Sequence, residues 1–295
     1  MAIFGSSTPV SKIIAAHFPV FSASLLRMLV AAAVLAPFMI SRRGELRDAP
    51  ARDWTTISLI ALAGMVGFTA TQLFGMRLTT GVIGATVMSS APAVTALAAV
   101  IFLGAAMNWR KGGALALAVI GVVLINVLRE RGASGGEAVF LGALLVLIAV
   151  CFEAAFTLLS KRLSSGVSSL SATFAASCIA IPAFAALAAI FDPAPFAYWV
   201  ADPGAWAAII FWGAGTGALA PVIWYHGVRQ APGPLAAGFM AVMPVSALVL
   251  SYILLDESFR WAHLIGFGAV FAGVLLMVWE HAHASGDKDE TNASA

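Results

Sequence analysis

GPLAAGFMAVMPVSALVLSYILL, from Gly233 to Leu255, and GVIGATVMSSAPAVTALAAVIFL, from Gly81 to Leu103, read as two copies of one segment. Each is an apolar run long enough to cross a bilayer, and each carries a proline near its middle, Pro244 in one and Pro92 in the other. A mid-helix proline cannot donate to the carbonyl four residues back. The oxygens of Met240 and Met88 therefore lose their helical partner where water is scarcest, and must face protein or a cavity. Two helices interrupted at matching places mark either a small-molecule site between two halves of the chain or a pair of structural kinks.

The correspondence extends beyond the prolines. A shift of 152 positions superimposes Arg229 on Arg77, Gly233 on Gly81, Ala237 on Ala85, Met240 on Met88, Pro244 on Pro92, Trp261 on Trp109 and Gly273 on Gly121, without a gap. Alanine and glycine coincide easily in a chain this rich in both. Arginine, methionine, proline and tryptophan in one register do not, and the chain reads as duplicated. Toward the N-terminus the shift is 149, pairing Ser160-Lys161 with Ser11-Lys12 and Ser171-Ala172 with Ser22-Ala23.

Composition sets the class. Hydrophobic residues make up 61% and charged residues 10%, against roughly 45–50% and 25% in soluble domains, so an all-α integral membrane protein is expected. A net charge of +2, with no basic cluster interleaved with aromatics, gives no footing for nucleic acid. Cys151 and Cys178 sit inside apolar runs without metal-ligand spacing and read as small core residues. The chain opens straight into an apolar segment without a basic stretch before it, so the first helix is expected to stay in place.

Apolar runs bounded by charges or by Gly/Pro turns predict ten spans, at about 2–18, 20–41, 54–76, 81–104, 109–128, 138–160, 168–191, 204–227, 233–255 and 260–281. Lysine and arginine concentrate on one side of this arrangement, at Arg42, Arg43, Arg47, Arg52, Arg110 and Lys111 among others. That side is expected to be cytoplasmic, with both termini, although Arg129 and Arg131 vote the other way. The outer loop after Asp192 carries no basic residue, and its Phe196, Tyr198 and Trp199 suit the interfacial belt. Five spans per copy is an odd number, so the second copy must cross in the opposite sense to the first. Two inverted five-helix repeats, 1–131 and 137–283, followed by a disordered cytoplasmic tail at 284–295, are the expected organisation. Such halves can exchange packings that open alternately to the two sides, as alternating access requires.

FGSSTPVSK from Phe4, the Arg27 of SLLRM, and the paired tails running from Ser90 and from Met243 resemble the EamA-type repeats of the drug/metabolite transporter superfamily. Most similar are the bacterial exporters of aromatic and other hydrophobic amino acids. The resemblance covers nearly the whole chain and implies ten helices, an inverted repeat and a central cavity lined by helices 1, 3, 4, 6, 8 and 9. Two departures stand out. The usual glycine-glutamate after helices 4 and 9 is Gly104-Ala105 in one half and Asp256-Glu257 in the other, and the tryptophan common before the first-helix glycine is Phe4.

Glu153 is the carboxylate that falls well inside a predicted span. Ionised at mid-bilayer it would cost about 2.5–3.5 kcal/mol, so it should face the bundle interior as a site for substrate amine or proton, or else reach an interface or cap a helix. Counting about 1.5 Å per residue, it lies about 23 Å from the outer end of its span and Arg27 about 10 Å from that side, so no direct pair is expected. Ser6, Ser7 and Thr8 fall nearer its depth. Arg27 and Lys12 could attract a substrate carboxylate, but the favoured expectation is that both snorkel to the headgroups, which their long side chains can reach. Thr71 and Gln72 on helix 3, with Trp224 and Tyr225 at equivalent places on helix 8, could face a cavity or anchor the interface. Met88 and Met240 could adapt to varied substrates or simply fill the core. Pro9, Pro92, Pro221 and Pro244 are candidate hinges, with Gly213, Gly215 and Gly217 allowing close packing.

No phosphate-binding loop, metal-ligand cluster or nucleophile elbow appears, so neither ATP, a metal nor another cofactor is expected. The leading expectation is a secondary carrier in a bacterial-type inner membrane, an exporter of amino acids or similar small metabolites, with the bilayer and possible protons as its other partners. A membrane-embedded enzyme acting on lipid, or a non-transporting sensor or assembly subunit, are the alternatives from other classes.

Overall fold

The computed structural model describes residues 1–104, 109–127, 136–164, 166–193, 200–223, 239 and 242–293. Among them all regular structure is helical. The repeat matches at Arg229, Gly233 and Ala237 and the belt residues Phe196, Tyr198 and Trp199 lie outside the described residues.

Interrupted helices dominate the first half. A short α1 (Ala2–Gly5) breaks at Ser6 before α2 (Ser7–His17), and α3 (Val20–Met39) is followed by a short α4 (Arg43–Arg47). Next, α5 (Ala51–Ile60) passes through a π-helical stretch, Ala61–Gly67, into α6 (Phe68–Leu78); α7 (Gly81–Met88), α8 (Ala91–Leu103) and α9 (Trp109–Val127) complete the half. The second half holds α10 (Gly136–Ser160), α11 (Ser169–Phe191), α12 (Pro203–Ile210) running into a second π-helical stretch, Phe211–Leu219, then α13 (Val242–Leu255) and α14 (Trp261–Ala293). Among the described residues six helical runs are long and apolar enough to cross a membrane: Val20–Arg47, Ala51–Leu78, Gly81–Leu103, Glu137–Ser160, Ser169–Phe191 and Pro203–Ile223. Gly112–Gly121, Val242–Leu255 and Trp261–Leu276 are shorter apolar helices. The last helix continues into the polar residues from Ser285 that the sequence reads as a tail.

Local chemistry sets the helix starts. Thr80, Ser168 and Asp202 each accept from a first-turn N–H, of Ile83, Ser171 and Gly204 respectively, and Pro203 follows its cap directly. Around Pro92 the run is interrupted, as one of the two sequence readings has it: Pro92 sits in the first turn of α8, after a turn at Ser89–Ser90 that separates it from α7. Those two serines donate back to Ala85 (2.7 Å) and Val87 (2.6 Å), supplying donors to the final turn of α7. Pro9 sits likewise in the first turn of α2, and Pro244 is the third residue of α13.

Carboxylates fix the relative direction of α3 and α11. Asp192, just past the end of α11, accepts from the backbone and hydroxyl of Ser22 at the start of α3. Glu45, beyond the end of α3, accepts from Ser168 N (2.9 Å) and Ser171 Oγ (2.7 Å) at the start of α11. Each helix begins where the other stops, so they run antiparallel. Glycine contacts give the same result elsewhere. A Cβ at Gly121 would strike the Gly266 carbonyl, whereas one at Gly273, farther along α14, would meet Ala114, earlier on α9. Gly64 similarly faces Phe156, Gly67 faces Phe152 and Gly75 faces Gly142, so α10 descends as α5–α6 ascends. Small residues let these backbones approach where lipid supplies no hydrophobic drive.

Lys12 corrects another expectation, and Arg77 is its reciprocal partner. Rather than reaching headgroups, Lys12 Nζ donates to the Met76 and Thr79 carbonyls, both at 2.6 Å, while Arg77 donates to Ala15 (2.9 Å) and Phe18 (2.6 Å). Each cation caps the C-terminus of the other's helix, where orphan carbonyls and the helix dipole favour positive charge. Lys12→Met or Arg77→Met should each destabilise the protein by about 1.5–3 kcal/mol, read as a lower unfolding temperature in detergent. Unchanged temperatures in both variants would show that solvent serves these carbonyls equally well. Cys151 and Cys178 are free and exposed, not core residues; in a bilayer the outer surface is as apolar as the core, so burial cannot be read from hydrophobicity alone.

Candidate functional site

The interruptions surround a central cavity of about 200 Å³, counted as the room open to the centres of water molecules. Its wall takes residues from both halves at matching positions. Phe4 and Glu153, Ser7 and Phe156, and Met28 and Ser177 are pairs related by the 149 shift. Gly64 and Thr216, and Met65 and Gly217, are related by 152 and lie in the two π-helical stretches. A π-helical turn carries an extra residue per turn and displaces the carbonyl ladder, an irregularity found often at functional sites. Proline adds to it. The residues four before Pro9, Pro92 and Pro221 are Gly5, Met88 and Gly217, all in the wall, and no proline N–H is available to their carbonyls.

Polar groups stand at definite places on this mostly apolar surface. Arg27 is 8% exposed. Its Nη1 donates to Thr69 at 2.8 Å, and its guanidinium lies 4.1 Å from the centre of the Trp212 ring. Trp212, fully buried, donates from Nε1 to Ser7 Oγ at 2.8 Å. One chain of contacts, Ser7–Trp212–Arg27–Thr69, thus ties α2, the second π-helical stretch, α3 and α6 together. Glu153 also faces the cavity, with a buried Oε2 that has no hydrogen-bond partner among the described residues. Among the described residues no ion pair joins it to Arg27.

Of the residues singled out in the sequence, Ser7, Thr8, Met88, Glu153, Pro221 and Pro244 come together in the wall. Ser6 does not; its hydroxyl returns to the Ile3 carbonyl at 2.7 Å. Thr71 and Gln72 also lie off the cavity. Thr71 donates to Gly67 at 2.7 Å, and Gln72 is fully buried, with neither amide atom partnered among the described residues. Pro9 and Pro92 act from behind the wall, through Gly5 and Met88. Trp224, Tyr225 and Met240 lie outside the described residues. Sequence reasoning favoured the headgroups over a substrate carboxylate for Arg27 and passed over Trp212, because neither belongs to a periodic or repeated pattern. The signal available was a cation about 10 Å inside a span, deep enough for the bundle to compete with the interface.

This architecture has relatives. The sequence pattern of the EamA-like transporter family matches residues 1–127 and 140–279. The "Uncharacterized transporter YetK" of Bacillus subtilis (strain 168) is 30% identical over 278 residues, covering 94% of this chain and 84% of its own length. A "Probable terminal-alkyne amino-acid exporter" of Streptantibioticus cattleyicolor is 26% identical over 286 residues, covering 93% and 89%. A solved protein structure superimposes with a TM-score of 0.61 at 16% identity, over 93% of this chain and 96% of that one, a likeness of fold. With both halves matched over nearly their full length, the chain belongs to the EamA-like transporter family.

Proposed function

We propose that the protein is a secondary carrier that exports amino acids with apolar or aromatic side chains, or closely similar metabolites, by alternating access, and that it is not an enzyme. The observation that carries this reading is the cavity wall, built from pairs of residues at equal shifts in the two halves. A wall of that kind supports a pseudo-twofold relation between the halves, and the antiparallel α3/α11 and α9/α14 pairs favour an axis lying in the membrane plane. Exchange of the two halves' packings would then turn the cavity from one face to the other. Four methionines and three phenylalanines in the wall suit an apolar side chain of variable shape. The amino-acid exporter among the relatives lends the substrate class further support.

The carrier sits in a bacterial-type inner membrane with ten spans, repeats at 1–131 and 137–283, and both termini in the cytoplasm. Protons enter as a second partner at Glu153. Purified protein in proteoliposomes should move aromatic and branched amino acids without ATP, with a rate that varies with pH. Glu153→Gln should flatten that pH dependence while exchange without a pH gradient persists. Absence of flux for a broad amino-acid panel, from protein that is folded and inserted, overturns the carrier assignment; unaltered pH dependence in the variant removes Glu153 from proton coupling.

A further inference from the structure

Two side chains of opposite charge stand in the cavity wall, and neither has a counter-charge among the described residues. Arg27 is nine-tenths buried, held by a neutral hydroxyl and an aromatic ring, with its Nε unpartnered among the described residues. Glu153 has a shielded, unpartnered carboxylate oxygen. Neither is ion-paired to any described residue. A buried unpaired charge is expensive, and the ordinary remedy is to bring the two together. Here they share one cavity and stay apart, which leaves a place for something that carries both missing charges.

We propose that Arg27 and Glu153 read the two ends of a zwitterionic amino acid, Arg27 taking the carboxylate and Glu153 the ammonium. The apolar wall between them takes the side chain. This rests on the carrier reading above and narrows it to free amino acids with both ends uncapped. The guanidinium is suited to its part because its planar fork matches a carboxylate. Trp212 fixes that plane from one face, Thr69 holds Nη1, and Ser7 holds the indole, so the remaining N–H edge is presented with little freedom left to lose on binding. A ligand with one charge would answer one of these groups and leave the other bare. A neutral ligand would answer neither.

Equilibrium binding by the full chain in detergent tests this, measured as ligand-dependent thermal stabilisation. The probes are L-phenylalanine, phenethylamine, which lacks the carboxylate, and 3-phenylpropanoate, which lacks the ammonium. Wild type should bind phenylalanine about tenfold or more tighter than either analogue, the size of one lost charge-assisted hydrogen bond. In Glu153→Gln the gap between phenylalanine and 3-phenylpropanoate should close to within about threefold, while the gap to phenethylamine persists. Arg27→Gln should show the crossed pattern. Arg27→Lys, which keeps the charge and is easier on the fold, should still prefer phenylalanine to phenethylamine. Equal loss for all three probes in both variants, or wild-type binding of an analogue as tightly as phenylalanine, overturns the assignment. So does wild-type binding of none of the three, and the carrier reading then stands or falls on flux alone.

Discussion

Gly217→Phe should give a folded protein in which flux has fallen by about a hundredfold or more, equivalent to roughly 2.7 kcal/mol. The wall contains three glycines, Gly5, Gly64 and Gly217, and their surroundings decide the outcome. At Gly5 a Cβ would strike the Met243 carbonyl, and at Gly64 it would lie 2.6 Å from Phe156, so a side chain at either place must push the backbone or a ring aside. At Gly217 the same atom would lie 3.4 Å from Ala31 Cβ and 3.5 Å from the Trp212 carbonyl, ordinary contact. The helix can therefore accept a larger residue there, and a benzyl group grown from it would take up space in the cavity. Gly268→Phe is the control, since Gly268 is exposed on α14 with nothing near its would-be Cβ. It should transport like wild type. Wild-type flux in Gly217→Phe, with the protein correctly folded, would mean that substrate does not pass through this cavity.

Much of the architecture was legible because a bilayer imposes simple rules. Helical runs fall where charge-free apolar stretches do, and the two shifts in the sequence, 149 and 152, recur in the cavity wall as Phe4/Glu153 and Gly64/Thr216. The π-helical stretches were not legible. Nothing in ALAGMVG or FWGAGTGAL distinguishes a turn of five from one of four, because the choice depends on what the opposing helix offers: Phe156 and Phe152 press into Gly64 and Gly67. Long polar side chains were misplaced for a related reason. Hydropathy says that a cation must leave the lipid, but it does not say whether headgroups, a helix C-terminus or an indole ring will receive it. Lys12, Arg77 and Arg27 all chose protein.

The departure at Asp256-Glu257 also acquires a physical sense. Glu257 accepts from Gly81 N, and from Val82 N at 3.0 Å, so the carboxylate after α13 caps the first turn of α7. The corresponding residue in the first half is Ala105, which has no acceptor to offer. Its expected target is the pair Gly233-Pro234, and Pro234 has no N–H to donate where Val82 does. In sequence, the second contact thus lacks both the carboxylate and one of the two N–H groups that the first contact uses.

Trp212→Ala should be the most destabilising single change in the cavity wall and its support, at about 3–5 kcal/mol. The indole is fully buried and belongs to the main core cluster, so its removal leaves a void that the small residues around it cannot fill. It also strips Ser7 of its donor and Arg27 of the ring beneath it. Trp212→Phe separates these contributions: it keeps an aromatic face for Arg27 and loses the Nε1 hydrogen bond, worth about 0.5–1.5 kcal/mol. Unfolding temperatures in detergent should accordingly rank wild type, Trp212→Phe and Trp212→Ala in descending order, with the larger step between the two variants. Because Arg27 and Trp212 touch, Arg27→Gln combined with Trp212→Ala should cost less than the two separately, by about 0.5 kcal/mol or more. If the phenylalanine and alanine variants unfold together, or the double variant is strictly additive, the ring is a filler and the guanidinium is held by Thr69 alone.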